Sequence, residues 1–416
     1  MNILIVNWSW YPTGGDWTYI LSLIRFYESN GHNTLHFSMH NELNVSSPYS
    51  EYFVSKLDYK ELNKKKSFSN GIRAINKSLF SKEASVNIEK ILNDYKIDLV
   101  HFNNIHHYIP AHALIPILKK KNIPIIWTLH DFVTLCPNSV FISNNQICEN
   151  CKGGKFYNCF LQKCKKNSYG ASFIAAMEGY INKIKNPYKD IEYFICPSKF
   201  MMDKFIEYGF APRKLFQIYN LYDASLIRKV EIKKVSAPNK YILYIGNILR
   251  IKGIFTLINA VKGLDIELLL VGKGEDLNEC LELKKNMHLE NINFLGYQEK
   301  SEVYSYIKGS QFVIAPSECY ENLPYSIMES MLLEKPVLGS NIGGIPELII
   351  NKLTGYLFEA GNEIDLREKI EMMMGLGSKK LSLLGKEAKA HILNLSNPSL
   401  YNAKMSELFT SLGLRI

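Results

Sequence analysis

Short apolar runs alternate with longer amphipathic stretches along most of the chain. Residues 3–6, Ile-Leu-Ile-Val, form the first run. An unbroken apolar quartet is the pattern of a parallel strand buried on both faces. The loop Trp10-Tyr11-Pro12-Thr13-Gly14-Gly15 follows, then an amphipathic helix over 17–30 that Gly31-His32 ends, then a strand over 34–37. Strand, glycine-containing loop, helix and strand open a doubly wound α/β domain. The alternation continues with helix 86–95, strand 99–102, helix 111–121, strands 123–129 and 193–196, and helix 199–208, which Ser198 caps. Residues 136–167 interrupt it as an irregular, cysteine-rich insertion.

A second start stands at Tyr241. Residues 225–239 are rich in charge, contain Ser236-Ala237-Pro238 and suit a linker. Strand 241–245, loop 246–253, helix 254–262 and strand 266–271 follow, with further strands at 292–295, 312–315 and 337–339. No short tandem repeat occurs; the βα architecture itself occurs twice. A length of 416 residues also argues for two cores. The expected fold is therefore α/β, two Rossmann-like doubly wound domains facing a central cleft. The expected limits are 1–224 for the first domain, 225–239 for the linker and 240–385 for the second domain. A helical segment over 386–416 is expected to pack back on the first domain. Ligands of open α/β sheets bind at the carboxyl ends of the strands.

Composition narrows the class. Hydrophobic residues make up 47% and charged residues 21%, as in a globular protein. The net charge of +9 gathers at Lys64-Lys65-Lys66, Lys119-Lys120-Lys121, and Lys163 with Lys165-Lys166. These are either solvated surface or a face for anionic lipid or a phosphorylated substrate. No nucleic-acid recognition motif is present. The chain enters its first strand without a charged leader, and no apolar stretch has the length of a membrane span. The expected location is the cytoplasm, with peripheral contact at the inner face of the membrane. Cysteines would stay reduced there. Cys148, Cys151, Cys159 and Cys164, with Cys136 nearby, have ligand-like spacing. They fit a structural zinc, free thiols, or a disulfide or redox role.

The densest chemistry lies in 315–329, Ala-Pro-Ser-Glu-Cys-Tyr-Glu-Asn-Leu-Pro-Tyr-Ser-Ile-Met-Glu. A strand ends near Ala315, and Pro324 suits the first turn of a helix. Glu321 then stands before the helix and Glu329 inside it, seven residues intervening. A helix start offers backbone N–H groups and a positive dipole end to a diphosphate. The carboxylates can accept hydrogen bonds from sugar and ribose hydroxyls. Taken alone, the pair reads first as an acidic helix start and a solvated glutamate.

The surrounding words resemble the retaining, two-domain (GT-B) glycosyltransferases of the Glu-x7-Glu type, the family 4-like group 1 enzymes. The matching elements are Pro316-Ser317, Glu321, Pro324, Glu329, Lys335-Pro336-Val337 and Gly343-Gly344-Ile345-Pro346-Glu347, in order. The stretch 244–253 looks like the family's Gly-Arg-Leu loop ending in Lys252-Gly253, with Asn247 where the family has arginine. Leu270-Val271-Gly272-Lys273-Gly274 is similar to its Gly-x-Gly turn. The resemblance is dense in the second half; in the first half it covers Gly14-Gly15, His130 in Thr128-Leu129-His130-Asp131, and Asn220 with Asp223. It implies that Lys252 and the helix start near Asn322 and Leu323 meet the diphosphate, Glu321 the donor sugar and Glu329 the ribose. Gly14, Gly15, Asn247, Arg250 and Gly272 complete the implied donor set, with Arg250 in place of the missing arginine. His130, Glu321 and Lys252 are the implied catalytic group. Gly14-Gly15 is otherwise a plain turn, and His130 otherwise a packed histidine. Asn103, Asn104, His106 and His107, after the strand 99–102, are further candidates for acceptor or donor.

The implied activity is transfer of a hexose-type sugar from a UDP- or GDP-sugar to a saccharide or lipid-linked oligosaccharide, with retention, in surface polysaccharide or glycolipid assembly. No cofactor is needed for such catalysis. The alternatives are a nucleotide-sugar 2-epimerase on the same architecture and a non-catalytic nucleotide-sugar-binding scaffold.

Overall fold

A computed structural model describes residues 1–56, 81–105, 109–222, 224, 227, 230–231, 233 and 235–414. Lys64-Lys65-Lys66, His106, His107 and Asp223 lie outside the described residues. The chain divides into two compact units. Unit 1 comprises Met1–Asn144, Cys148–Leu221 and Ser399–Ile416, and unit 2 comprises Asn145–Ile147 and Tyr222–Pro398.

In unit 1 the apolar runs become β1 (Asn2–Val6), β2 (Asn33–Phe37), β3 (Leu99–Phe102), β4 (Ile125–Thr128), β5 (Tyr193–Cys196) and β6 (Leu215–Gln217). They form a six-stranded sheet in the order β2-β1-β3-β4-β5-β6. Every neighbouring pair is parallel. All residues of β3 and β4 are buried, which is why these strands read as continuous apolar runs. Helices α1 (Gly15–Ser29), α2 (Lys82–Asp94) and α3 (Ala111–Lys120) connect the early strands. The insertion is more regular than its composition suggests. It holds short strands at Ile142–Ser143 and Gln146–Ile147, a 3-10 turn at Lys152–Gly154 and helix α4 (Tyr157–Leu161). Helix α5 (Tyr169–Lys185) follows and supplies the packing surface. A Cβ on Gly179 would come within 2.9 Å of the Phe156 ring, so the insertion seats on a small-residue face. Helix α6 (Lys199–Glu207) begins at Ser198, whose Oγ accepts from the Met201 N–H at 3.0 Å.

Unit 2 contains β7 (Tyr241–Ile245), β8 (Glu267–Val271), β9 (Ile292–Gly296), β10 (Val313–Ala315), β11 (Val337–Ser340) and β12 (Gly355–Phe358). Their order is β9-β8-β7-β10-β11-β12, again all parallel. Numbered from the first strand of the unit, this is 3-2-1-4-5-6, the dinucleotide-binding Rossmann order, which reverses between β7 and β10. Helices α7 (Ile254–Ala260), α8 (Leu277–Asn286), α9 (Lys300–Gly309), α10 (Tyr325–Leu332), α11 (Glu363–Met374) and α12 (Gly377–Leu395) flank the sheet. Ile242, Leu268, Ile314 and Leu338 pack with Leu257, Leu366 and Ile370 in one core. The last helix, α13 (Pro398–Ser411), enters unit 1 from Ser399 onward. Among the described residues no helix is long and apolar enough to cross a membrane.

Candidate active site

In unit 2 the loops after β7 and β10 meet at the strand-order reversal. The first ends in a 3-10 turn, Arg250–Lys252, closed by Gly253 with φ +72°. A Cβ on Gly253 would stand 1.8 Å from the Pro316 carbonyl oxygen. Only glycine therefore lets the loops join, and the Glu318 N–H donates to Ile251 O at 2.9 Å across them. The junction brings Lys252 Nζ within 2.5 Å of Glu321 Oε1, and Ser317 Oγ donates to the same oxygen at 2.6 Å. Burial would lower the Lys252 pKa, but the Glu321 carboxylate outweighs burial and holds the ammonium above the ordinary lysine value. The Gly343-Gly344 pair clamps Glu321 from the β11 side. Gly344 N–H donates to Glu321 O at 2.8 Å, and a Cβ on Gly343 would lie 2.4 Å from that oxygen.

Past Asn322 and the buried Leu323, helix α10 starts at Tyr325. Pro324 is its N-cap rather than part of its first turn, and no side chain caps it there. Glu329 lies inside α10, only 8% exposed. Its Oε1 accepts from Tyr222 Oη at 3.1 Å, Lys300 Nζ at 3.1 Å and Tyr304 Oη at 3.4 Å. Burial, followed by the Glu329 charge, pushes both phenols above their usual range, so they stay hydrogen-bond donors. Sequence reasoning missed Ser317 as a partner, and Tyr222, Tyr304 and Lys300 altogether. Tyr222 stands between Asn220 and Asp223, the two residues the family resemblance marks there. Lys300 and Tyr304 sit on a helix with no motif.

The remaining donor-side residues separate. Gly272, after β8, packs against the β7 end: a Cβ there would come 1.8 Å from Gly246 O. Its N–H donates to Gly296 O at 2.8 Å, so three strand ends lock backbone to backbone. Asn247 is exposed, and its carbonyl accepts from Tyr244 Oη at 2.7 Å. Arg250 is not gathered with Lys252 and Glu321. Its guanidinium pairs with Glu279 on α8 and lies 3.7 Å from the Phe255 ring centroid. Asp276, at the N-cap of α8, also takes the Arg250 N–H at 2.6 Å. The acidic start of α8 thus captures this residue.

In unit 1 the strand order reverses between β1 and β3, and polar groups collect there. Gly14 is the N-cap of α1 with φ +104° and open space around it; Gly15 begins the helix. Asn104 Nδ2 donates to Asp16 Oδ2 at 2.5 Å, and Asn104 N–H donates to Asn7 Oδ1 at 3.0 Å. His130, two residues beyond β4, places Nε2 3.1 Å from Asn103 Oδ1. Burial lowers its pKa and Asp16 opposes this in part. The ring is therefore neutral near pH 7, donating from Nε2 and keeping an acceptor lone pair on Nδ1. Asn220 is buried, and its Oδ1 has no partner among the described residues.

The candidate metal ligands lie near one another: Cys159 and Cys164 share a hydrogen bond, and Cys151 lies within charge reach of Cys136, Cys148 and Cys164. All eight cysteines are free thiols. Cys148 Sγ faces Gln162 Oε1 at 3.6 Å, while Cys151 and Cys159 pack with Ala175 and Ala176 in an apolar cluster that Cys164 abuts. Among the described residues no three His, Cys, Asp or Glu side chains stand in a metal-holding group. Two of the four candidate zinc ligands Cys148, Cys151, Cys159 and Cys164 thus pack against the small-residue face of α5.

Comparisons with known proteins add the wider setting. The profile described as Glycosyltransferase Family 4 matches residues 13–226, and that described as Glycosyl transferases group 1 matches residues 228–391. The N-acetyl-alpha-D-glucosaminyl L-malate synthase of Bacillus anthracis is 33% identical over 36% of this chain and 42% of its own. The capsular polysaccharide biosynthesis glycosyltransferase CapM of Staphylococcus aureus is 25% identical over 60% of this chain and 64% of its own. The chain thus spans less than two thirds of the length of these curated relatives. The crystal structure of Anabaena HepE in complex with UDP and glucose shares the fold, with a TM-score of 0.66 and 17% identity over 99% of this chain and 100% of that one. One profile that covers half the chain, and a second that covers most of the remainder, leave one assignment: the chain belongs to Glycosyltransferase Family 4 and is a glycosyltransferase of group 1.

Proposed function

We propose that the protein moves a hexose-type sugar from a UDP- or GDP-sugar to a saccharide or lipid-linked saccharide, with retention, in the assembly of surface polysaccharide or glycolipid. The observation that carries this is the Lys252–Glu321–Ser317 group, held by glycine-tight loops where the unit 2 sheet reverses its strand order. The names of the relatives support the setting: one takes part in capsular polysaccharide biosynthesis, and one solved neighbour holds UDP and glucose.

The roles follow from charge. Breaking the glycosyl–phosphate bond leaves negative charge on the diphosphate. The Lys252 ammonium and the N–H groups at the start of α10 stabilise that charge. Glu321, its oxygen already fixed by Lys252 and Ser317, accepts from hydroxyls of the donor sugar. Glu329 has only Oε1 engaged among the described residues, and Oε2 accepts from the ribose. Neutral His130 accepts a sugar hydroxyl at Nδ1. No side chain is assigned as a covalent nucleophile; the leaving phosphate takes the acceptor proton. The cytoplasmic face of the membrane is the proposed location, in keeping with the charge of +9.

The Arg250–Glu279 pairing favours a second reading. It leaves Lys252 as the loop cation at Glu321, as a nucleotide-sugar-binding scaffold would tolerate. Product analysis decides. Incubation with UDP-glucose, UDP-N-acetylglucosamine and GDP-mannose, with lipid-linked saccharide present, should give an α-linked product from an α-linked donor. A β-linked product would overturn retention, an epimerised donor would point to the 2-epimerase, and an untouched donor to the scaffold.

A further inference from the structure

A buried chain of hydroxyls runs beneath His130 and ends on the last helix of the protein. Tyr401 Oη on α13 lies 3.1 Å from Tyr19 Oη on α1. Tyr19 Oη lies 3.0 Å from Thr128 Oγ1, at the end of β4. Thr128 Oγ1 lies 2.7 Å from His101 Nε2 on β3, and His101 Nδ1 lies 2.7 Å from Tyr27 Oη on α1. Tyr19, Tyr27, His101, Thr128 and Tyr401 are all buried. His101 is pushed down to about 3 by burial first and the nearby His130 second, so it remains neutral.

The proton count fixes what such a chain can do. Four hydroxyls and one neutral imidazole hold five exchangeable hydrogens for four links. Every link can be made at once, with all donors pointing the same way along the chain. Removing one hydroxyl takes a hydrogen bond from each buried neighbour, which is costly in a dry interior. The chain therefore holds the Tyr19 ring in one place. That ring meets His130 edge-on, with centroids 4.8 Å apart and planes at 68°. His130 is thus fixed from two sides, by Asn103 at Nε2 and by the Tyr19 ring.

We propose that Tyr19 is a positioning residue for His130, and that α13 contributes Tyr401 to lock it. The inference rests on the role proposed for His130 above. It explains why the last helix of the chain clusters with unit 1, where Phe26 also packs edge-on against Tyr401 with centroids 4.9 Å apart. The groups acting electrostatically on His130 are Asp16 on α1 and His101 on β3.

The test is NMR titration of the His130 ring in the full-length protein, its signal identified by its loss in His130→Ala. Tyr19→Leu removes the ring edge and the hydroxyl; Tyr401→Phe removes only the distant hydroxyl and should fold. In Tyr19→Leu the His130 midpoint should rise toward the free imidazole value by half a pH unit or more. In Tyr401→Phe its signal should broaden or double. An unchanged midpoint and line shape in folded Tyr401→Phe would overturn the proposal, even if Tyr19→Leu does not fold. Hydrolysis of UDP-glucose separates this from the catalytic role. If His130→Ala hydrolyses it at the wild-type rate while the titrations shift, the positioning stands and the role given to His130 fails. If His130→Ala slows hydrolysis, adding Tyr19→Leu to it should slow it no further, and an additive loss would sink the inference.

Discussion

Gly253→Ala tests whether the loop junction builds the donor site. The wild-type φ of +72° costs an L-residue about 1–2 kcal/mol. The added Cβ would sit 1.8 Å from Pro316 O, and real Cβ contacts essentially never fall below 3.0 Å. The loops must therefore part by at least 3.0 − 1.8 = 1.2 Å. The Glu318 N–H to Ile251 O bond spans the same gap at 2.9 Å, and adding 1.2 Å breaks it. A lost hydrogen bond adds about 1 kcal/mol, so urea unfolding should show a total loss of about 2–3 kcal/mol. The control is Gly263→Ala, with φ +73° and nothing within 4 Å of its would-be Cβ. It should lose only the conformational part, about 1–2 kcal/mol. Calorimetry with UDP-glucose should find binding intact in the control and at least tenfold weaker, roughly 1.4 kcal/mol, in Gly253→Ala. Equal stability losses in the two variants, or wild-type donor binding in Gly253→Ala, would refute the reasoning.

Three further outcomes are expected. Tyr222→Phe and Tyr304→Phe each remove a donor from Glu329 and should weaken donor binding several-fold, about 0.5–1.5 kcal/mol, by the same calorimetry. Arg250→Ala should leave donor hydrolysis within about threefold of wild type, since its partner is Glu279 and exposed ion pairs contribute little; a loss matching that of Lys252→Ala would contradict the separation of the two cations. Acid should destabilise the fold through His36, lowered by burial to about 4, and His101, lowered to about 3. Both folded values lie below the free value of 6.5, so below pH 6.5 the unfolded chain binds protons that the folded chain does not, and stability falls with pH. Each histidine should cost about 2 kcal/mol between pH 6.5 and 5, read from urea midpoints, and a flat profile over that window would exclude the effect.

Much of the architecture was legible because both sheets are parallel and buried. Residues 3–6, 99–102 and 241–245 showed as apolar runs, the first and last with glycine-bearing loops behind them, and each is a strand. What escaped notice was short or unmarked. β6 has three residues, two of them only partly buried, and β12 opens with a glycine. Helix α5 was invisible because small residues such as Ser172, Ala175 and Ala176 form its packing face rather than an apolar stripe. At the site, motif words fixed which residues stand in the loops but not which way side chains turn. Lys252 and Arg250 are two residues apart in one loop, yet one pairs with Glu321 and the other with Glu279. Tyr222, Lys300 and Tyr304 converge on Glu329 from other segments, and His101 reaches Tyr27 and Thr128 across the sheet. Such convergence is set by topology, which local pattern does not encode. The spacing of the cysteines marked residues that the fold brings near one another, with Cys151 and Cys159 packed on α5.

The most direct measurement is calorimetric binding of UDP- and GDP-sugars to the wild type, Lys252→Ala and Glu329→Ala. The proposed donor site predicts that one nucleotide-sugar binds the wild type and that both variants lose at least tenfold in affinity. A donor that binds both variants as tightly as the wild type would place the site elsewhere and contradict the roles given to Lys252 and Glu329.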